Sequence, residues 1–143
     1  MQAMLEETTP IDGRMLSLKA MGDAQLDATL LTALYGASAS RWGGTDKFAL
    51  VDDGCIYLSE IQHPFELAVF RCIDESDVSG GRMSVLGVCA SRLEAIQTAW
   101  QGSSYDLCAQ NAILTYYGTY VILIVADNPT PILKAAQKAI RAK

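Results

Sequence analysis

The side chains best suited to chemistry in this sequence are one histidine and four cysteines. His63 precedes Pro64 in a connection between two predicted strands, and no nucleophile stands at a spacing typical of a histidine-dependent enzyme. Cys89 and Cys108 would react only with a lowered thiol pKa, and the sequence places only Arg92 near Cys89 as a basic neighbour. These patterns favour a loop histidine and structural thiols, so we name no catalytic residue.

Neither the cysteines nor the acidic residues are spaced like the ligands of a metal site. The cysteines lie too far apart for CxxC zinc ligands, and their apolar surroundings favour free thiols over disulfides at Cys55, Cys72, Cys89 and Cys108. The carboxylates Asp52-Asp53 and the run from Asp74 to Asp77 lack the spaced oxygen ligands and the glycine of an EF-hand loop. We therefore expect no metal and two solvated turns.

Two further features could bind a ligand but have simpler explanations. Gly80-Gly81-Arg82 precedes a predicted helix, as in anion-binding helix N-termini, yet the lysine and the spacing of a phosphate loop are absent. Four aromatic residues lie in turns, where they either form a recognition surface or cap a core: Trp42, Tyr116, Tyr117 and Tyr120. Packing is the favoured interpretation, so we predict neither a cofactor nor a cofactor-binding residue.

Length and composition predict one globular domain with an acidic surface. The 143 residues are half apolar and 19% charged, which suits a domain that folds around its own core. A net charge of −5 and a pI of 4.7 argue against nucleic acid and anionic lipid as partners. The cations near the C-terminus complement a helix dipole: Lys134, Lys138, Arg141 and Lys143.

The chain divides into a leader and a domain. Residues 1–14 show no periodicity, which predicts a flexible leader or tether before a single domain at residues 15–143. This leader has neither a signal-peptide pattern nor a transmembrane segment. Leucines at helical spacing predict a helix from Asp23, which caps it, to a stop at Gly36. Residues 47–51 and 55–59 then flank Asp53-Gly54, which is typical of a hairpin turn.

The second half of the chain has stronger patterns. It reads as a strand at 66–73, a helix at 83–101, a hairpin with arms at 112–117 and 120–127, and a helix at 129–141. Gly118 splits the most apolar stretch into two strands, each too short to span a bilayer as a helix. The second arm has apolar residues on both faces, which predicts a central strand covered by the protein's own helices.

The order of these elements predicts the fold. The strand at 66–73 and the first hairpin arm can be parallel, with the second arm between them and antiparallel to both. We therefore predict an α+β fold with a mixed, mainly antiparallel sheet of about four or five strands. Its core is a split β-α-β unit (β-α-β-β-α, ferredoxin-like), and a helix precedes it.

Three features together resemble a known family. They are Leu34-Tyr35-Gly36 after an amphipathic helix, the strand from Glu66 to Arg71 followed by a helix with Arg92-Leu-Glu, and the apolar hairpin with its closing helix. The chain resembles, over roughly residues 23–140, a family of small secreted or lipoprotein-like proteins of Gram-positive bacteria known as domain of unknown function 4358. The resemblance implies an extracellular or membrane-anchored protein whose leader is missing here, with residues 6–13 as tether. It implies no activity.

Residues and resemblance together give two hypotheses of function. The preferred one is a non-enzymatic cell-envelope or secreted module that binds a protein or glycan partner. The alternative is an intracellular regulatory domain that binds a small ligand and acts as a homodimer, since βαββα units commonly pair through their sheets.

Overall fold

The computed structural model describes residues 1–7, 12–17, 24–25, 34, 51–80 and 84–142, and shows one sheet with helices on both faces. The strands are β1 (Gly13–Ser17), β2 (Ala24–Gln25), β3 (Val51–Ser59), β4 (Glu66–Cys72), β5 (Ile113–Tyr117) and β6 (Tyr120–Val125). The helices are α1 (Gln2–Leu5), α2 (Val85–Ala99), α3 (Asp106–Gln110) and α4 (Pro129–Arg141), with a short 3₁₀ turn at Glu75–Asp77. The predicted α+β class is confirmed.

Five strands form an antiparallel sheet in the order β1-β3-β4-β6-β5, and the two-residue β2 extends it parallel to β1. β6 lies between β4 and β5 and is antiparallel to each. The hairpin of β5 and β6 turns at Gly118, whose positive φ of 61° is open to glycine without strain. No helix in the described part of the chain is long and apolar enough to cross a membrane.

The central strand β6 explains the most apolar stretch of the sequence. Its side chains alternate between two hydrophobic clusters, and Ile122 and Ile124 pack on the side of α1 and α4. Val121, Leu123 and Val125 pack on the side of α2. All five residues from Val121 to Val125 are fully buried. Because both faces are covered, no polar alternation is needed, and the predicted central strand is confirmed.

The two long helices were also predicted correctly, apart from one or two residues at their ends. Ser84 caps α2, because its hydroxyl oxygen accepts the backbone N–H of Gly87 at 3.1 Å. Cys89 and Ile96 of the predicted stripe are buried. Val85 and Val88 of the same helix are buried too, although the predicted stripe did not include them.

Residues 1–14 differ from the flexible leader that the sequence predicted. α1 packs against α4, and Met4 is only 1% exposed. Met1 and Leu5 pack against the hydrophobic cluster that contains Met4, on the α1 and α4 side of the sheet. Met1, Met4 and Leu5 recur at helical spacing, a pattern too short to stand out in the sequence. Gly13 and Arg14 belong to β1, which pairs with β3. The boundary at residue 14 therefore falls inside a strand.

The predicted hairpin around Asp53-Gly54 is wrong. β3 continues from Val51 to Ser59 without a turn, and a bulge between Val51 and Asp53 absorbs the irregularity. Gly54 lies opposite the buried Phe70 of β4. The other predicted arm, residues 47–51, lies outside the described residues except for Val51.

The helix predicted from Asp23 also needs correction at its start. Ala24 and Gln25 form β2 beside Leu16 and Ser17, so they are not the first turn of a helix. The remainder of that prediction, including its stop at Gly36, lies outside the described residues except for Leu34. Leu34 is helical and packs against the cluster on the α2 side. The short helix α3 was not predicted at all.

Substitution of Leu123 by alanine tests whether β6 is the centre of the core. We expect Leu123→Ala to lower the free energy of unfolding by about 2–5 kcal/mol, because it opens a cavity at a site with no exposure. Leu107→Ala, at a residue 70% exposed, is the matched control and should change stability by less than about 0.5 kcal/mol. Urea unfolding measures both, and equal effects would contradict a central β6.

Candidate functional site

Two loops meet at the end of the sheet where β4 begins, and they bring three aromatic rings together. The His63 ring, in the loop from β3 to β4, lies 4.5 Å from the ring of Tyr105, with the two planes tilted by 54°. Tyr105, in the connection from α2 to α3, meets the ring of Trp100 edge to face at 5.7 Å. With the neighbouring Ile61 and Leu107, we call these residues the end patch.

Hydrogen bonds within the first loop hold the histidine ring in place. The Ser59 hydroxyl donates to the carbonyl of Ile61 at 2.9 Å, and the N–H of His63 donates to the same carbonyl at 2.8 Å. Nδ1 of His63 accepts the backbone N–H of Phe65 at 3.0 Å. Nδ1 therefore acts as a hydrogen-bond acceptor that shapes the loop.

Hydrogen bonds also hold the second loop, which connects α2 to α3. The Ser103 hydroxyl donates to the carbonyl of Trp100 at 2.7 Å and accepts the backbone N–H of Tyr105 at 3.1 Å. Gly102 takes a positive φ of 76°, and its N–H donates to the Asp106 carboxylate at 3.1 Å. The loop therefore presents Tyr105 in a defined position between Trp100 and the histidine.

The end patch gathers most of the exposed apolar side chains of the described residues. Five large hydrophobic residues of the described chain are strongly exposed, and three of them belong to the end patch: Ile61 at 53%, Tyr105 at 38% and Leu107 at 70%. Scattered exposed apolar residues are normal, but a cluster beside fixed aromatic rings is typical of a recognition surface. The end patch is therefore the strongest candidate for a binding site in the described part of the chain.

A buried ion pair positions the two loops. Arg92 of α2 donates from Nε to Oε2 of Glu66 at 3.0 Å and from Nη2 to Oε1 at 2.5 Å. Glu66, the first residue of β4, is 3% exposed, so the pair holds its geometry away from water. It joins the strand that follows the His63 loop to the helix that ends at Trp100. α3 is held to the same helix by Gln97, whose amide donates to the Ala109 carbonyl at 3.2 Å.

The cysteines do not form a reactive site. All four are free thiols, as the sequence favoured, and three of them are buried. Burial, reinforced by the Glu66 carboxylate, raises the pKa of Cys89 strongly. Arg92 binds Glu66 and does not lower that pKa. Burial and the Asp127 carboxylate raise the pKa of Cys108 to about 12, so both thiols are neutral near pH 7.

The remaining candidates of the sequence lie apart from the end patch. The Asp74 carboxylate caps the 3₁₀ turn by accepting the N–H of Ser76 at 3.1 Å, and no three potential ligands gather into a metal site in the described part of the chain. Tyr117 packs against the α4-side cluster, whereas Tyr116 is exposed at the opposite end of the sheet. Trp42 and the pair Gly81-Arg82 lie outside the described residues.

Of the residues in the end patch, only His63 was a candidate from the sequence. Trp100 was predicted as the last member of a core-facing stripe, and Tyr105 and Leu107 were not considered. The available signal was local: two large apolar residues follow directly on the turn at Gly102-Ser103, where no buried element was expected. Only the fold shows that this turn meets the loop of His63.

Comparisons with known proteins give no assignment: no model of a protein family matches the chain, and neither a curated protein nor a solved structure matches it. The resemblance to the secreted and lipoprotein-like family therefore stays a prediction.

Breaking the buried ion pair should cost more stability than breaking an ion pair on the protein surface. We expect Arg92→Met to lower the free energy of unfolding by about 3 kcal/mol, because Glu66 would be left as a buried charge without its main partner. The double variant Glu66→Gln/Arg92→Met should recover part of that loss. Lys134→Met, at an exposed residue of α4, is the control, and equal losses in urea unfolding would contradict the assignment.

The buried thiols predict a loss of stability at alkaline pH. In the unfolded chain a thiol ionises near pH 9.0, while in the folded chain Cys108 stays protonated to about pH 12. The unfolded state therefore loses protons first, and stability that is fully present below pH 9 falls as pH rises towards 12. Unfolding measured across this range should show a shallower slope in Cys89→Ala/Cys108→Ala than in the parent chain. Identical slopes would contradict the raised pKa values.

Proposed function

We propose that this chain is a non-enzymatic binding module that contacts a protein partner through the end patch. The observation that carries the proposal is that the exposed Ile61, Tyr105 and Leu107 belong to the two loops that meet through the rings of His63, Tyr105 and Trp100. Aromatic and large aliphatic side chains are enriched at the buried centre of protein interfaces, and a prearranged surface loses little conformational entropy on binding.

The composition of the end patch favours a protein over a glycan. A sugar ring stacks on the open face of an aromatic side chain, whereas these rings are tilted or edge-on to one another, so part of each face is already in contact. The two most exposed patch residues, Ile61 and Leu107, are aliphatic. Aliphatic side chains gain most from burial against another apolar surface, which a protein provides.

The state of the reactive side chains supports a role without catalysis. Burial keeps the thiols of Cys89 and Cys108 neutral near pH 7, and Nδ1 of His63 is engaged by Phe65. The Cys108 thiol is hydrogen-bonded to the Asp127 carboxylate, but this contact raises the thiol pKa, whereas an activated nucleophile needs a lowered one.

The finer fold assignment and the location belong to the same proposal. We infer that the unit from β4 to α4 is a split β-α-β core of the ferredoxin-like type, which is supported by the position of β6 between β4 and β5. Kinship with the secreted and lipoprotein-like family, and with it an extracellular or membrane-anchored location, rests on the motifs around Glu66, Arg92 and the apolar hairpin.

A second candidate function is the intracellular regulatory domain that acts as a dimer. It is favoured by β5, which lies at the edge of the described sheet and could pair with a second copy. Sedimentation should then show a dimer that dissociates on substitution of Tyr116 by proline. The backbone N–H of Tyr116 points to the open edge, whereas that of its neighbour Thr115 points to Ile122 of β6. A strict monomer at all concentrations would exclude this mode.

Retention of a partner from cell-envelope extracts tests the end patch. We expect the immobilised chain to retain a specific protein, and Tyr105→Ala/Leu107→Asp to weaken that binding by tenfold or more, as loss of interface anchors does. The control Tyr116→Ala removes an aromatic residue that is 50% exposed at the other end of the sheet, and it should bind normally.

Folding and partner class are controlled separately in that experiment. Both variants must keep the unfolding midpoint of the parent chain, since all three residues are exposed. Binding that survives digestion of the extract by protease, or that the end-patch variant retains in full, would contradict a protein partner at the end patch. Protease-resistant binding that a glycosidase removes would indicate a glycan.

A further inference from the structure

A groove opens on the face of the sheet opposite α2, between the short helix α1 and the helix α4. Its volume is about 210 Å³, and its apolar walls come from Met4, Val69, Ala136, Ala139 and Ile140. It lies apart from the end patch, because it extends from Val69, in the middle of β4, to Tyr120, which lies opposite Arg71 near the end of that strand. Glu66 and the His63 loop are at the start of β4.

The groove continues into a smaller, polar mouth of about 90 Å³. Met1, Val69 and Tyr120 line both spaces, which makes them one continuous recess. Asp53, Cys55 and Arg71 complete the mouth. The recess therefore has an apolar body at one end and charged side chains of both signs at the other.

The polar mouth is built by strand register. Asp53 of β3 lies directly opposite Arg71 of β4, and Arg71 lies directly opposite Tyr120 of β6. Side chains at such positions share a face and have Cβ atoms about 4.5–5.5 Å apart. A carboxylate, a guanidinium and a phenol thus form a row across three neighbouring strands, next to the apolar wall at Val69.

We propose that this groove binds a small zwitterion with an apolar side chain, of the class of the apolar α-amino acids. Arg71 receives the α-carboxylate, Asp53 receives the α-ammonium group, and the side chain enters the space between Val69 and the alanines of α4. The Tyr120 hydroxyl lies at the same mouth, where it can donate to the carboxylate or accept from the ammonium group.

The pairing of charges selects this ligand class. A guanidinium has five N–H donors, so a contact between Arg71 and Asp53 still leaves donors for a second carboxylate. Met1 lines the same mouth, and its α-ammonium group adds a second positive charge near Cys55. An alkylamine would bring its cation close to two positive groups, whereas a fatty acid would bring no positive group to Asp53. A zwitterion places opposite charge against both Arg71 and Asp53, as electrostatic complementarity requires.

The size of the groove also fits. A dry apolar cavity of about 150 Å³ accommodates a benzene-sized group, so the apolar part of the groove has room for the side chain of leucine, methionine or phenylalanine. Two small residues, Ala136 and Ala139, create that room on α4. Larger side chains at these positions would fill it.

Isothermal titration of the full chain with L-leucine, L-methionine and L-phenylalanine tests the proposal. We expect saturable binding of at least one of them, and at least tenfold weaker binding of its N-acetyl and its amide derivatives, which each lack one charge. Arg71→Gln and Asp53→Asn should each weaken binding tenfold or more. Lys134→Gln removes an exposed positive charge from α4 and should leave binding unchanged.

Ala139→Leu provides a test that leaves the polar row intact. It should fill the groove and abolish binding of the amino acid while the unfolding midpoint stays close to that of the parent chain. Equal affinity for the amino acid and its two singly charged derivatives, full binding by Ala139→Leu, or no binding of the three amino acids at 10 mM would each overturn the proposal. None of these results would bear on the end patch, whose partner test uses different residues.

Discussion

The buried ion pair between Glu66 and Arg92 is the interaction on which the arrangement of this molecule depends. It joins the first residue of a central strand to the middle of the helix that covers it, with both guanidinium contacts satisfied. A charge at 3% exposure is costly unless its partner is correctly placed, so α2 has little freedom to slide along the sheet. Trp100 lies about two turns further along that helix. The ion pair therefore also fixes the position of Trp100 and of the loop that carries Tyr105.

The sheet divides the molecule into two layers with different tasks. On one face α2 and α3 complete a core and carry one half of the end patch. On the other face α1 and α4 cover β4 and β6 but leave the groove, because α1 is only four residues long and α4 presents alanines there. The fully apolar β6 is the consequence of lying between these layers. Burial of its apolar side chains stabilises the folded state, so residues on the surface can be used for recognition.

The sequence predicted elements whose signal is contained in one continuous stretch. The strand from Glu66, the helix around Cys89, the apolar hairpin and the closing helix were all recovered, since periodicity and turn residues are local. The predictions failed where distant pairing decides. Asp53-Gly54 is a strong hairpin signal by itself, but continuous pairing with β4 keeps it in a strand. The end patch depends on two loops about 40 residues apart. The apolar residues after Gly102-Ser103 are a local signal for one half of it, but no local pattern could show that the two halves meet.

The strand β4 connects the two recognition surfaces without making them one site. Glu66 lies beside the end patch and Arg71 lies at the groove, which places them about 17 Å apart along an extended strand. Between them the side chains of β4 alternate between two buried clusters, and both neighbouring strands are hydrogen-bonded along that length. Such a strand has no second arrangement of similar energy to adopt. A ligand in the groove and a partner on the end patch should therefore bind independently, since coupling requires an element with two discrete states.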